Sequence, residues 1–131
     1  MKKWLSILLA LTMTACCLLP AALADQTVNL TGKLVIVHTN DIHGYAVTDP
    51  SEPSVGYAQI KQYCTDAKTT GADVLLLDAG DASQGQPIVN LSKGANAIQF
   101  MNITGYDAMC PGNHEFDWGV DQFLQNAETA E

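Results

Sequence analysis

The chain is 131 residues long, with fourteen acids against six lysines, no arginine and a formal charge of −8. So few cations cannot neutralise a phosphate backbone, which argues against nucleic acid as a partner. The length allows one modest core, not two, and the acidity otherwise serves solubility, apart from any carboxylates that bind cations.

Residues 1–24 read as a secretory signal peptide. Lys2 and Lys3 form the positive end, residues 4–19 the apolar stretch, and Ala22-Leu23-Ala24 a small-x-small cleavage site before Asp25. The expected location is extracytoplasmic: secreted, periplasmic or in the cell envelope. A lipoprotein acylated at Cys16 is the alternative, disfavoured because apolar sequence continues through Cys17-Leu18-Leu19-Pro20 where a polar tether is expected. Pro20 interrupts a run already short of the ~20 residues that span a bilayer, so no stable membrane span is expected after cleavage. Cys64 and Cys110 remain in an oxidising compartment, with no spacing that establishes a disulfide or a metal site.

Beyond the signal, strand and helix patterns alternate. Residues 33–39 (KLVIVHT) are a β-branched apolar run, followed by a polar turn at 40–44 and a loop rich in Pro, Ser and Asp. Tyr57, Ile60, Cys64 and Ala67 recur at helical spacing, and Gly71 sits where that helix would stop. Residues 73–78 (DVLLLD) form a second buried strand, ending at Ala79-Gly80-Asp81. A second helix is expected over 95–103, stopped by Gly105, and a third short strand over 106–110. A third helix begins near Val120 and runs into the end of the chain. Strands joined by helices imply a parallel sheet, since parallel neighbours need a crossover connection. The expected class is therefore α/β in βαβαβ order.

Three polar segments, Asp41-Ile42-His43-Gly44, Gly80-Asp81 and Gly112-Asn113-His114-Glu115, each follow an expected strand. They lie where open α/β sheets place their sites, at the carboxyl ends of the strands. Carboxylate, imidazole and amide oxygen together suit Zn²⁺, Mn²⁺ or Fe better than the all-oxygen shells of Ca²⁺ or Mg²⁺. Two divalent ions ~3.5–4 Å apart repel, so an anion must sit between them, and water bound to such a pair is acidified for attack on phosphorus. Asp81, at the tip of the middle strand, is the expected bridge. Asp41 and His43, two apart in an extended segment, would project to one side and share one metal. Asn113 offers a neutral carbonyl oxygen to the other. His114, directly after Asn113 in an extended loop, would point away from the ligands. Asp117 would accept a hydrogen bond from its Nδ1 and favour the imidazolium, which near a phosphoryl group stabilises developing charge and assists the leaving group.

Each residue has a plainer reading. Asp-x-His arises by chance, Gly-Asp is commonly a turn, and Asn113 with Glu115 suits the start of a helix. His38 reads as a packed strand-end histidine, Asp78 as a turn or outer acceptor, and Phe116, Trp118 and Phe123 as core. Three segments in this order outweigh those readings.

Residues 38–44 (HTNDIHG), 77–81 (LDAGD) with Gly85 following, and 112–119 (GNHEFDWG) resemble the first three blocks of the calcineurin-like metallophosphoesterases. Within that superfamily they are similar to the secreted 5'-nucleotidase branch, which includes UDP-sugar hydrolases and 2',3'-cyclic-nucleotide phosphodiesterases. Residues 102–109 (NITGYDAM) are also typical of the branch, and the similarity spans about 34–119. The resemblance implies an αββα sandwich, with residues 25–131 as its incomplete amino-terminal βαβαβ portion. It implies two divalent ions, Asp41 and His43 on one, Asp81 bridging, and Asn113 on the second. It also implies His114 and Asp117 as the catalytic pair, Asn113 and His114 being nearest the phosphoryl group of a small nucleotide substrate. The family's remaining ligands are histidines in a Gly-His and a Gly-His-x-His segment, and no histidine follows His114 here. The family's nucleotide-recognition domain has no counterpart in the chain either. The expectation is part of a longer enzyme that hydrolyses nucleoside monophosphates, inactive by itself. Relatives acting on cyclic nucleotides or UDP-sugars would share every residue quoted. A non-catalytic extracytoplasmic metal-binding module is the alternative of a different class, and an in-frame continuation encoding Gly-His-x-His would separate the two.

Overall fold

β1 (Leu34–Thr39) and β2 (Asp73–Asp78) lie parallel, from Leu34 opposite Asp73 to Thr39 opposite Asp78. A third strand, β3 (Ala108–Met109), pairs in parallel with Leu77 and Asp78, so the sheet order is β1-β2-β3. The computed structural model describes residues 28–52 and 54–131, and the signal peptide reading for 1–24 and the Cys16 alternative lie outside them. β3 is shorter than the expected 106–110 because Asp107 meets its neighbour partly through its side chain: the Leu76 N–H donates to Asp107 Oδ2 at 2.7 Å.

α1 (Tyr57–Thr69) crosses from β1 to β2, and its Tyr57, Ile60 and Cys64 are buried, as the helical spacing required. α3 (Ala95–Thr104) crosses from β2 to β3 and buries Ala97, Ile98 and Met101. Gly105 stops it in the left-handed conformation (φ 92°), donating its N–H to Met101 O. The core lies on one face of the sheet, where Val37, Val74, Leu76 and Met109 meet Tyr57, Ile60, Cys64, Ile98 and Met101. Cys64 lies in this core and Cys110 is exposed, and the two are unpaired.

Among the described residues nothing packs over the sheet's other face. Leu34 and Ile36 are 61% and 58% exposed there. His38 shares that face and is exposed rather than packed, because strand alternation puts it on the side of Leu34 and Ile36. Two further details differ from the sequence reading. A short helix, α2 (Pro87–Asn90), begins with Pro at its first turn, where the missing N–H costs nothing. α4 (Val120–Ala127) stops before the end of the chain: Thr129 turns back to donate its hydroxyl to Asn126 O, and its carbonyl accepts from Asn102 on α3. Phe116 packs on Phe123 at 4.9 Å yet stays 42% exposed, outside the main core.

Candidate metal centre

The backbone leaves β1 and β2 in conformations that L-residues rarely adopt. Asp41, His43 and Asp81 have φ of 53°, 49° and 61°. Among the described residues only Lys93 joins them as a non-glycine with positive φ, so left-handed strain is concentrated on three of the expected metal ligands. Cross-loop hydrogen bonds hold them there. The ladder continues past the strands with Ala79 N–H to Thr39 O at 2.8 Å, then Asp41 N–H to Gly80 O and His43 N–H to Asp81 O, both at 2.9 Å.

These bonds aim the side chains. Asp41 Oδ1 lies 3.9 Å from His43 Nε2, so the pair does share one side, through left-handed turns rather than the extended segment expected. His43 Nδ1 lies 2.8 Å from the Gln84 carbonyl oxygen. A carbonyl only accepts, so Nδ1 carries the proton and Nε2 keeps its lone pair for a cation.

The third segment approaches backbone against backbone. Gly80 has φ 102°, and a Cβ there would stand 2.7 Å from Gly112 Cα, while a Cβ on Gly112 would stand 2.8 Å from Asp81 Cγ. Only glycine permits this contact. Gly112→Ala is therefore expected to push the Asp81 carboxylate aside, lowering metal affinity and costing about 1–3 kcal/mol of stability by overpacking. Metal titration and thermal melting check this, and wild-type values in both would contradict the contact.

His114 departs from its expected direction. Asn113 is helical (φ −73°, ψ −32°) and His114–Phe116 form a 3-10 turn, so the loop is not extended. Successive side chains in such a turn differ by about 120° rather than 180°. The His114 ring consequently faces His43 edge-on at 5.2 Å, and the His114 backbone N–H donates to Asp81 Oδ1 at 2.9 Å. His43, Asp81 and His114 each offer a ligand atom within 4.8 Å of the others. Asn113, at the head of the turn, is exposed and its side chain makes no capping bond. Two imidazoles and a carboxylate, with Asp41 adjacent, are donors that suit a divalent transition-metal ion.

His114 Nδ1 lies 2.8 Å from Asp117 Oδ2. That bond raises the imidazole above its ordinary value; partial burial opposes it, and the charges of Asp117, Asp81 and Glu115 add to it. The stabilisation is fully present below the unfolded pKa of 6.5 and is lost as pH rises through the higher folded value. Asp117→Asn should lower the titration midpoint of His114, followed by NMR of its ring protons in metal-free protein. An unmoved midpoint would break the pairing.

Two buried carboxylates lie beneath the loops. Asp78, 3% exposed, accepts from the Thr39 hydroxyl at 2.6 Å and the Gly80 N–H at 2.8 Å, and Thr39 also bonds the Tyr106 hydroxyl. Burial pushes its pKa up, the two hydrogen bonds opposing and the charges of Glu115 and Asp41 adding. Asp78 is thus the turn acceptor that the sequence suggested. Glu115 is 5% exposed, and its part in the site goes beyond a carboxylate favoured at the start of a helix. Burial would raise its pKa, but bonds from the Asp81, Gly112 and Ser83 N–H groups and the Ser83 hydroxyl outweigh it and hold it down. The signal available was Gly112-x-x-Glu115, the spacing at which a glutamate reaches back to the N–H that opens a helical turn.

The calcineurin-like phosphoesterase family profile matches residues 34–129. The chain belongs to that family. It is 39% identical over 101 residues to a 5'-nucleotidase of Rattus norvegicus, covering 70% of this chain and 18% of the relative. It is 40% identical over 101 residues to a snake venom 5'-nucleotidase of Gloydius brevicauda, covering 70% and 17%. The chain thus spans less than a fifth of the length of these relatives. Among solved structures, a calcineurin-like phosphoesterase of Bacillus subtilis aligns with a TM-score of 0.59 at 27% identity, covering 73% of this chain and 34% of that one. A Staphylococcus aureus structure aligns with a TM-score of 0.62 at 21% identity, covering 75% and 21%, a likeness of fold alone.

Proposed function

We propose that residues 25–131 form the first part of the catalytic domain of an extracytoplasmic 5'-nucleotidase that holds two divalent ions and releases phosphate from nucleoside monophosphates. The observation that carries this reading is the meeting of His43, Asp81 and His114 at the carboxyl ends of three parallel strands. Similarity to 5'-nucleotidases over most of the chain supports the substrate class, and the venom form among them supports an extracellular setting.

In this reading Asp41 and His43 would hold one ion, Asn113 would hold the second, and Asp81 would serve both. When bound, such ions acidify water and orient it for in-line attack on phosphorus. The chain's own residues do the rest. Asp81 would offset the repulsion between the cations, and His43 is held by the Gln84 carbonyl with Nε2 free to be presented. His114, its imidazolium favoured by the Asp117 hydrogen bond, would stabilise charge on the phosphoryl oxygens and give its proton to the departing ribose oxygen. The described donors are too few for two ions, so the 131-residue chain by itself is expected to be inactive.

The test is phosphate release by the protein expressed from its full reading frame, with Mn²⁺ or Zn²⁺, on AMP, 2',3'-cyclic AMP and UDP-glucose. Preference for AMP supports the reading. Preference for either other substrate moves the protein to a sister specificity, and no turnover with any of them favours a non-catalytic metal-binding module. Phosphate released above blank by residues 25–131 alone would overturn the claim of inactivity.

A further inference from the structure

Glu115 collects five donors from two separate loops. Its Oε1 accepts from the N–H of Ala82 at 2.9 Å and from the N–H and hydroxyl of Ser83 at 3.1 and 3.0 Å. Its Oε2 accepts from the N–H of Asp81 at 2.8 Å and of Gly112 at 2.6 Å. Three successive N–H groups, 81–83, converge as they do in loops that bind anions, and the anion here is the protein's own side chain. Each oxygen takes at least two donors, which an ionised carboxylate satisfies and an amide does not.

The consequence falls on Asp81. Its backbone is left-handed, a conformation that persists only where the surroundings over-determine it. Glu115 holds its N–H, His43 donates to its carbonyl, and the His114 N–H holds its carboxylate. Glu115 itself follows Asn113 and His114 in the chain and also grips Gly112. One side chain therefore sets the spacing between the loop carrying Asp81 and the loop carrying Asn113 and His114.

We infer that Glu115 is a positioning residue for the metal centre: an internal anion, seated on the 81–83 N–H groups, that clasps two ligand-bearing loops at the separation a cation requires. This rests on the metal-centre reading above. Both Glu115 oxygens are taken by protein donors, so it would act on a cation through Asp81, His114 and Asn113.

The experiment is Mn²⁺ titration calorimetry on full-length protein, with thermal melting alongside. Glu115→Gln should weaken Mn²⁺ binding about 10- to 100-fold, the loss typical when a partner that orients ligands is removed. Ser83→Ala trims one donor without touching the charge and should weaken binding a few-fold. Ile98→Ala, a cavity in the core, should lower the melting temperature and leave Mn²⁺ affinity unchanged. Wild-type affinity in Glu115→Gln, or a loss in Ile98→Ala equal to that in Glu115→Gln, would make Glu115 merely structural. Should Glu115→Gln fail to fold, unchanged affinity in Ser83→Ala overturns the inference. Wild-type protein that takes up no Mn²⁺ would sink the metal-centre reading, and this inference with it, before any variant is compared.

Discussion

Asp81→Asn is expected to strip the centre of metal and, with it, of turnover. The substitution keeps the side chain's shape and an oxygen for the His114 backbone N–H, which donates at 2.9 Å, while removing the charge that the proposed bridge supplies. Two divalent ions separated by ~3.5–4 Å tolerate a neutral bridge poorly, because their repulsion is then opposed only by dipoles. The expected loss of affinity exceeds the roughly 100-fold that outer partners cost. Elemental analysis of the purified variant measures it directly. Wild-type metal content would remove Asp81 from the ligand set. The backbone of Asp81 also makes a stability prediction possible. Asp81→Gly relieves the left-handed strain at φ 61°, of order 1–2 kcal/mol, and should offset part of the stability lost with the side-chain contact while remaining just as depleted of metal.

His114→Ala is expected to separate chemistry from metal binding. A proton donor at the leaving group contributes typically 10²- to 10⁴-fold, so turnover should fall by that order while metal content stays near wild type. The geometry makes this a demanding test. His114 stands within 4.8 Å of both His43 and Asp81 by ligand atoms, close enough to act as a ligand itself. Its Nδ1 is committed to Asp117 at 2.8 Å, leaving Nε2 to serve either a cation or a phosphoryl oxygen, and the two roles predict opposite metal contents. Metal loss in His114→Ala equal to that in Asp81→Asn would make His114 a ligand.

Much of this architecture was legible in local pattern. β2 occupies the expected residues 73–78, because the apolar run 74–77 is too short for a helix and is bounded by the turn residues Gly71 and Gly80. The buried positions of α1, Tyr57, Ile60 and Cys64, follow from helical period alone, and Gly105 ends α3 where a left-handed stop was needed. The loops were less legible, since their conformations answer to distant partners. Asp41 and His43 read as extended from sequence, yet bonds to Gly80 and Asp81 across the sheet edge turn both left-handed. His114 read as pointing away, and one helical residue, Asn113, reversed that. The clasping role of Glu115 is not legible in the sequence because its partners lie more than thirty residues earlier, at Asp81, Ala82 and Ser83, as well as at nearby Gly112.

By itself the sequence determined the donor types, their order behind three strands, and the crossovers that make those strands parallel. These follow from composition and periodicity, which are local. Tertiary structure alone decided which donors meet. The parallel register sets Thr39 beside Asp78 and Asp78 beside Met109, so the loops that follow emerge side by side. Backbone bonds between those loops, and the glycine contact of Gly80 with Gly112, then bring His43, Asp81 and His114 within reach of one cation. Distances of this kind depend on hydrogen bonds between residues far apart in the chain, and no local propensity encodes them.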